Sequence, residues 1–480
     1  MKNKILLLLF ITFSIHYSMA QSILQTDTMY HRCTQTLDFA AEQANRLLKS
    51  LSGTQLPNCV NASGGLVVVG ASDWTSGFFP GELWYLSNYK KDASMQANAE
   101  KFTQLLQAQQ YTINTHDLGF MMFCSYGNGF KITNNVEYKS ILIQSAISLQ
   151  TRYNTSVGCM RSWSFGTWSF PVIIDNMMNL ELMCWATEAT GDSMYYKGAV
   201  NHALTTMRNH FRPNYSSYHL VNYNPTTGAI IGKQTVQGFS NESSWARGQA
   251  WGLYGYSMMY NKTGMNVFLV QAQHIADYIL SNLPADYIPY WDYNDPDIPN
   301  AARDASSASV TASALIQLYR SCDNINYLRA AEKILWNLSS NTYMNASNEN
   351  QNMLLKHSTG NLPANSQVDV PIIYADYYFV EALCRYVELK NTIAGFAQTN
   401  TLENTIKLFP NPFKQNITIQ SSTQFDKIEL VDILGNIFIT SSFQETNSKI
   451  LIIQNSLNTG IYFVNIYLKN KFISSTKIIK

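Results

Sequence analysis

Thr36–Leu51, TLDFAAEQANRLLKSL, sets Leu37, Ala40, Ala41, Ala44, Leu47, Leu48 and Leu51 at spacings of three and four. That period turns one apolar stripe of a helix toward a common core. It returns in NAEKFTQLLQAQQ (98–110), YKSILIQSAISLQTRY (138–153), VFLVQAQHIADYILSNL (267–283), YLRAAEKILWNLSS (327–340) and DYYFVEALCRYVEL (376–389). From Cys33 to Leu389 the helical period dominates, with Gly or Asn often following a run, and predicts about ten to twelve helices. Repeated helices of this length, with no close sequence repeat, predict a helical toroid whose central cavity holds a substrate.

The character changes after Lys390. NTIAGFAQTNTLEN (391–404) is polar and reads as a linker. LFPNPFKQNITIQSS, IELVDILGNIFIT, SKILIIQN and GIYFVNIYLKNKFISSTKIIK are alternating, β-branched runs. They predict a small all-β sandwich module over 405–480. At the other end, Lys2 and Lys4, the apolar run Ile5–Ile15 and the small-residue site Ser18-Met19-Ala20 read as a signal peptide, 1–20. No later segment is long and apolar enough to span a membrane, so the mature chain, from 21 on, is expected outside the cytoplasm.

Bulk properties exclude some functions. Apolar residues make up 46% and charged residues 14%, which permits a large core, and the net charge of +1 gives nucleic-acid binding no support. Cys33, Cys59, Cys124, Cys159, Cys184, Cys322 and Cys384 show no zinc-ligand spacing, so no metal site is expected. One pair is free to bridge in an oxidising compartment, but the odd count leaves at least one thiol. The 29 Tyr, 23 Phe and 9 Trp suit a sugar-binding cleft as well as an aromatic core.

Two acids stand out. Asp175 interrupts FPVIIDNMMNL (170–180) and Asp117 interrupts THDLGFMMF (115–123). An ionised carboxylate in such surroundings costs several kcal/mol unless compensated. A helix N-cap is the plain explanation, and a working acid is the other. In SSWARGQAWGLYG (243–255), Arg247 and Trp251 share a helix face, with Trp245 nearby. A guanidinium beside indoles makes a receptor for an acidic sugar, or else pins two helices. Trp74, Trp163 and Trp291 lie among Gly, Pro, Asp and Ser in loops.

HDLGF, IIDNMMNL and QGFSNESSWARGQAWGLYG resemble glycoside hydrolase family 88, the unsaturated glucuronyl hydrolases. WTSGFFPGELW, RDASSASVTAS and YADYYFVEAL match segments of the same family in the same order, so the resemblance spans roughly 30–390. It implies an (α/α)6 barrel followed by the β module, an all-α catalytic domain overall. It also implies removal of a non-reducing-end unsaturated uronic acid from lyase-generated oligosaccharides, by hydration of the C4–C5 double bond and without a cofactor. Asp175 then matches the general acid/base and Asp117 its partner carboxylate. His116, His219, Gln237, Arg247 and Trp251 match substrate-binding positions, and Trp74 and Trp163 match pocket aromatics.

LFPNP, VDILGN and LNTGIYFVNI, in that order, resemble the C-terminal sorting domain of type IX secretion. This implies the secretion machinery as a partner and a secreted or cell-surface location, with periplasmic transit. In the late loop KHSTGNLPANSQVDV no Ser-x-x-x-Gly-Lys pattern for sulfate is present, and Lys356 and His357 remain as possible sources of positive charge. Rival readings are an unsaturated rhamnogalacturonyl hydrolase acting on pectin fragments, a sugar epimerase and a surface glycan-binding protein.

Overall fold

The computed structural model describes residues 27–401, 407–432, 437–452, 457, 460–469 and 471–480. The expected signal peptide and residues 402–404 of the expected linker lie outside the described residues. Residues 27–390 form one compact unit, and the described residues from 391 onward belong to a second.

Twelve α-helices are present among the described residues. They are α1 (Thr28–Ser50), α2 (Phe78–Lys90), α3 (Ala93–Gln104), α4 (Asn128–Thr133), α5 (Val136–Gln150) and α6 (Asn176–Thr190). Then follow α7 (Ser193–Asn209), α8 (Ala246–Thr263), α9 (Asn266–Asn282), α10 (Ala305–Cys322), α11 (Ile325–Leu338) and α12 (Ile373–Thr401). A π-helical segment, Gly119–Gly127, runs directly into α4. Counted with that segment, the helices form six inner and six outer members of an (α/α)6 barrel.

Burial separates the two layers. Inner helix α8 buries every residue from Ala246 to Met259. Outer helix α11 buries one stripe, Tyr327, Leu328, Ala330, Ala331, Ile334, Leu335 and Leu338. An apolar stripe suffices for a helix with one face in water, whereas a helix walled in on all sides must be apolar or internally satisfied all round. Two close approaches admit only glycine. A Cβ on Gly119 would stand 2.5 Å from Asn179 Cα, and one on Gly255 2.5 Å from Met177 Cβ. These let the π segment and α8 pack against α6.

Five inner helices turn into their outer partners through one device. Lys91, Asn134, Gly191, Gly264 and Asp323 adopt left-handed φ at the inner helix's end. The next residue caps the outer helix, and in four cases (Asp92, Asn135, Asp192, Asn324) its side chain accepts a backbone N–H. A left-handed residue closes one helix and an acceptor side chain opens the next, so two residues reverse the chain. The return connections from outer to inner helices are long. All therefore gather at one end of the barrel, where the inner helices begin.

Those connections hold small antiparallel pairs: β1 (Leu56–Val60) with β2 (Leu66–Val69), and β3 (Tyr153–Asn154) with β4 (Cys159–Met160). A three-stranded sheet is built from β5 (Pro171–Ile173), β6 (Leu220–Tyr223) and β7 (Ile230–Gln234), with Ile173 opposite Leu220 and Leu220 opposite Gln234.

The stretch read as a linker differs from expectation. Helix α12 continues to Thr401, through most of NTIAGFAQTNTLEN. Its Ala, Gln and Leu content tolerates a helix, and polarity alone does not end one. Beyond it, the β module contains β8 (Lys407–Phe409), β9 (Asn416–Asp432), β10 (Ile437–Ile452), β11 (Ile461–Leu468) and β12 (Lys471–Ile479), all antiparallel. Strand β9 pairs β8 through its first half and β11 through its second, while β10 follows both halves across register shifts. Ile417 and Ile419 from the first half share one core with Ile428, Leu430, Val464 and Ile466.

Candidate active site

Asp175 sits at the N-cap position of α6, yet its side chain makes no capping hydrogen bond. The plain explanation for this acid therefore fails. The β5–β6 ladder sets its neighbour: Ile174 N donates to His219 O at 3.0 Å, which brings the two side chains together. His219 Nε2 lies 3.7 Å from Asp175 Oδ2. Both atoms are buried without a hydrogen-bond partner.

His219 is held as one tautomer. Its Nδ1 accepts from Val236 N at 3.0 Å and Gln237 N at 3.3 Å, just past the end of β7. An accepting Nδ1 leaves the proton on Nε2, facing Asp175. Burial pushes the His219 pKa down to about 3, with Arg247 adding to the effect. The ring is thus a neutral donor at working pH.

Burial acts in the opposite direction on Asp175. Desolvation raises its pKa to about 7, Arg247 opposes the rise and Asp117 adds to it. The Trp251 indole N–H slightly favours the charged form, but it closes no hydrogen bond, since Trp251 Nε1 is itself unpartnered.

Asp117 lies just ahead of the π segment. Thr115 Oγ1 donates to its Oδ2 at 2.7 Å, and its Oδ1 faces His116 Nε2 at 3.3 Å. His116 is anchored by Asn176, the first residue of α6: His116 Nδ1 lies 2.8 Å from Asn176 Oδ1. Asn176 Nδ2 donates to Met160 O at 3.0 Å and Ser162 Oγ at 3.1 Å, which fixes its oxygen toward the ring. Asn179, one turn on, accepts from Phe120 N at 3.0 Å and ties the π segment to the same helix. A π-helical stretch beside a carboxylate is a common mark of a functional site.

The aromatic residues divide. Trp74 packs with Phe78, Phe120 and Tyr374, and Phe120 in turn meets Trp251 at 5.2 Å. These rings form an apolar wall beside Asp175. Trp163 is half-buried. Phe165, 70% exposed, stacks on it at 5.4 Å and 15°. A backbone bridge from Thr115 to Trp163 brings this pair next to the turn that carries Asp117. Trp291 is buried and donates to Asp295, as a core residue would.

Arg247 and Trp251 are both deeply buried. Arg247 is 1% exposed, and its guanidinium is committed to Asp304 Oδ2 at 2.9 Å, Ser306 Oγ at 3.3 Å and the carbonyls of Thr359 and Gly360. It lies over Trp245 at 4.5 Å and Tyr374 at 5.3 Å, not over Trp251. A sugar carboxylate reaching Arg247 would have to displace these partners. Trp251 is wholly buried and likewise presents no face to a ligand. Gln237 remains half-buried, donating to Gly360 O at 3.1 Å.

Lys356 pairs with Glu349 at 3.7 Å, and His357 Nδ1 lies 2.6 Å from Asp369 Oδ1, so both late-loop side chains already have partners. The seven cysteines are all free thiols. Among the described residues no helix is long and apolar enough to cross a membrane.

Sequence reasoning missed Asn176, Asn179, Asp304 and Tyr374. Asp304 lay within RDASSASVTAS, and its place before a Ser-rich helix start was a capping signal. Nothing local in the sequence marked Asn176 as the anchor for a histidine sixty positions away.

The model of the secretion system C-terminal sorting domain matches residues 407–480. An unsaturated glucuronyl hydrolase of Formosa agariphila is 47% identical over 322 residues, 66% of this chain and 80% of that protein. An unsaturated chondroitin disaccharide hydrolase of Streptococcus agalactiae is 29% identical, over 66% of this chain and 82% of its own. The crystal structure of an unsaturated glucuronyl hydrolase specific for heparin matches with a TM-score of 0.74 and 45% identity, covering 75% of this chain and 98% of that one. The chain is a member of the unsaturated glucuronyl hydrolases, glycoside hydrolase family 88, and ends in a sorting domain that directs it out of the cell by type IX secretion.

Proposed function

We propose that the enzyme removes the Δ4,5-unsaturated uronic acid from glycosaminoglycan-derived oligosaccharides by hydrating the C4–C5 double bond, with Asp175 as general acid/base. One observation carries this reading: a buried carboxyl with an unpartnered oxygen and a pKa near 7. Such a group still holds its proton near neutral pH and has no internal partner to surrender first.

The double bond belongs to a vinyl ether. Asp175 delivers its proton to C4, and the positive charge that develops at C5 is shared with the ring oxygen. A water attacks C5 and returns a proton to the Asp175 carboxylate. The resulting hemiketal opens to a ketone at C5, and the hemiacetal left at C1 collapses to release the remaining saccharide with its glycosidic oxygen. Proton count is conserved over the cycle. Asp117, fixed by Thr115 and His116, is placed to hold sugar hydroxyls. Six inner helices start around the chamber, and their N-terminal dipoles favour the substrate carboxylate. Trp74 and Trp163 supply faces for the sugar rings.

The names of its relatives support a glycosaminoglycan source. Two relatives are named for heparin and chondroitin disaccharides. Lys356 faces Glu349 and His357 faces Asp369, so sulfate recognition is not assigned to this loop. The leader at 1–20 and contacts of the C-terminal module with the secretion machinery complete the proposed route of export.

The test follows the ultraviolet absorbance of the conjugated double bond on unsaturated chondroitin, hyaluronan, heparin and pectin disaccharides, run in deuterium oxide. Loss of absorbance with deuterium delivered to one face of C4 is expected on a glycosaminoglycan disaccharide. Cleavage that leaves no face preference at C4 would overturn the hydration step, and preference for the pectin fragment would overturn the substrate class.

A further inference from the structure

Arg247 poses a problem for the acid it accompanies. Its guanidinium lies 4.5 Å over the Trp245 ring, Trp245 packs at 4.7 Å on His219, and His219 faces Asp175 at 3.7 Å. A full positive charge thus stands two rings behind the proton donor, in a region where water does not screen it. An uncompensated buried cation at this range favours the ionised carboxylate. A donor that has already lost its proton cannot start the reaction.

The charge has a counterweight. Asp304 is wholly buried, and its Oδ2 meets Arg247 NH1 at 2.9 Å. Its Oδ1 accepts from Ser306 N at 3.1 Å, from Ser306 Oγ, and from Thr359 N at 3.3 Å. The carboxylate therefore caps α10, holds the loop that carries Gly360, and cancels the charge of Arg247 at once. We propose that Asp304 is a positioning residue of the reaction, whose negative charge neutralises Arg247 so that Asp175 keeps its proton. The inference rests on the reading of Asp175 as the general acid.

The groups around Asp175 can be named by element. Asp117, with His116 against it, faces it from the turn before the π segment, His219 from just before β6, and the charge of Arg247 acts from α8. Asp304 lies behind Arg247 at the start of α10, and the Tyr374 hydroxyl on α12 lies within the field of Arg247, Asp304 and Asp175. Arg247 and Asp304 are the only pair of full, opposite charges in this set that touch each other. Burying an ion pair is rarely the most stable choice for a core, so its presence here calls for a functional reason.

The experiment measures kcat/KM against pH on an unsaturated disaccharide for the full chain and four variants. A required acid gives a limb on which activity falls as pH rises. Asp304→Asn keeps an oxygen able to cap α10 but leaves Arg247 uncompensated, so this limb moves to lower pH, by ~1 pH unit. Arg247→Met leaves Asp304 uncompensated, and the limb moves to higher pH by a similar amount. The double variant Arg247→Met/Asp304→Asn, net neutral again, returns the limb close to its wild-type position although its activity is lower. A purely structural role would lower activity in all three without moving the limb in opposite directions. A limb that stays in place, or moves the same way in both single variants, overturns the proposal. Asp175→Asn separates this from the parent reading: if that variant still turns over, the acid lies elsewhere and both ideas fall together.

Discussion

Asp175 and His219 face each other across 3.7 Å, and neither facing atom has a hydrogen-bond partner. Their pKa values move in opposite directions from the same cause. Burial keeps the acid protonated to about pH 7 and the base neutral down to about pH 3. Around neutral pH the site therefore holds a proton donor beside a neutral ring, the pattern expected where one group must give up a proton and its neighbour must not compete for it.

The Asp175 carboxyl should cost stability. An unfolded aspartate releases its proton near pH 4, whereas the folded group holds it to about 7. Between these values the folded state binds the extra proton, so this group's contribution falls as pH rises through the window and stays low above it. Asp175→Asn removes the effect. Its stability should match wild type near pH 4 and exceed it at pH 8 by an amount on the order of a few kcal/mol, seen as a raised melting temperature. Thermal melts at the two pH values check this, and a gap of equal size at both would contradict the buried acid.

Asn176 should matter as much as a residue that touches substrate. It fixes the ring of His116, whose Nε2 faces Asp117. Asn176→Ala should lower kcat/KM by ~10–100-fold, the usual cost of losing an orienting partner, with the barrel still folded by circular dichroism. Unchanged kcat/KM would remove His116 from the working site.

The stacked Trp163–Phe165 pair should act on the saccharide beyond the unsaturated ring. Phe165→Ala should raise KM for an unsaturated tetrasaccharide by ~3–10-fold, the scale of one aromatic contact, and change the disaccharide less. Equal effects on both substrates would place Phe165 outside the path of the chain.

Gly119 tests the architecture. A Cβ there meets Asn179 at 2.5 Å, against backbone. Gly119→Ala should destabilise the barrel by ~1–3 kcal/mol through overpacking and lower activity with it, whereas a near-wild-type melting temperature would show that the π segment and α6 have room to part.

The fold was legible because outer helices such as Thr36–Leu51 must bury one stripe, and a stripe is a period. The six-fold return was less visible. Its repeating unit is a pair of residues, Lys91-Asp92, Asn134-Asn135, Gly191-Asp192, Gly264-Met265 and Asp323-Asn324, whose shared property is backbone conformation and capping, not identity. The two acids announced themselves by their apolar flanks. Arg247 stayed ambiguous, because a cation between indoles reads alike whether it awaits a ligand or is already paired, and its partner Asp304 lies 57 residues on. The helical continuation of α12 to Thr401 was hidden for a simpler reason: polar residues suit a solvated helix as well as a loop.

The most direct test of the account compares wild type with Asp175→Asn on the fastest unsaturated disaccharide. Turnover is read from the conjugated absorbance and binding from calorimetry. The account predicts that the variant binds within a few-fold of wild type and that its absorbance does not decay. Turnover that survives Asp175→Asn at a substantial fraction of the wild-type rate would contradict it.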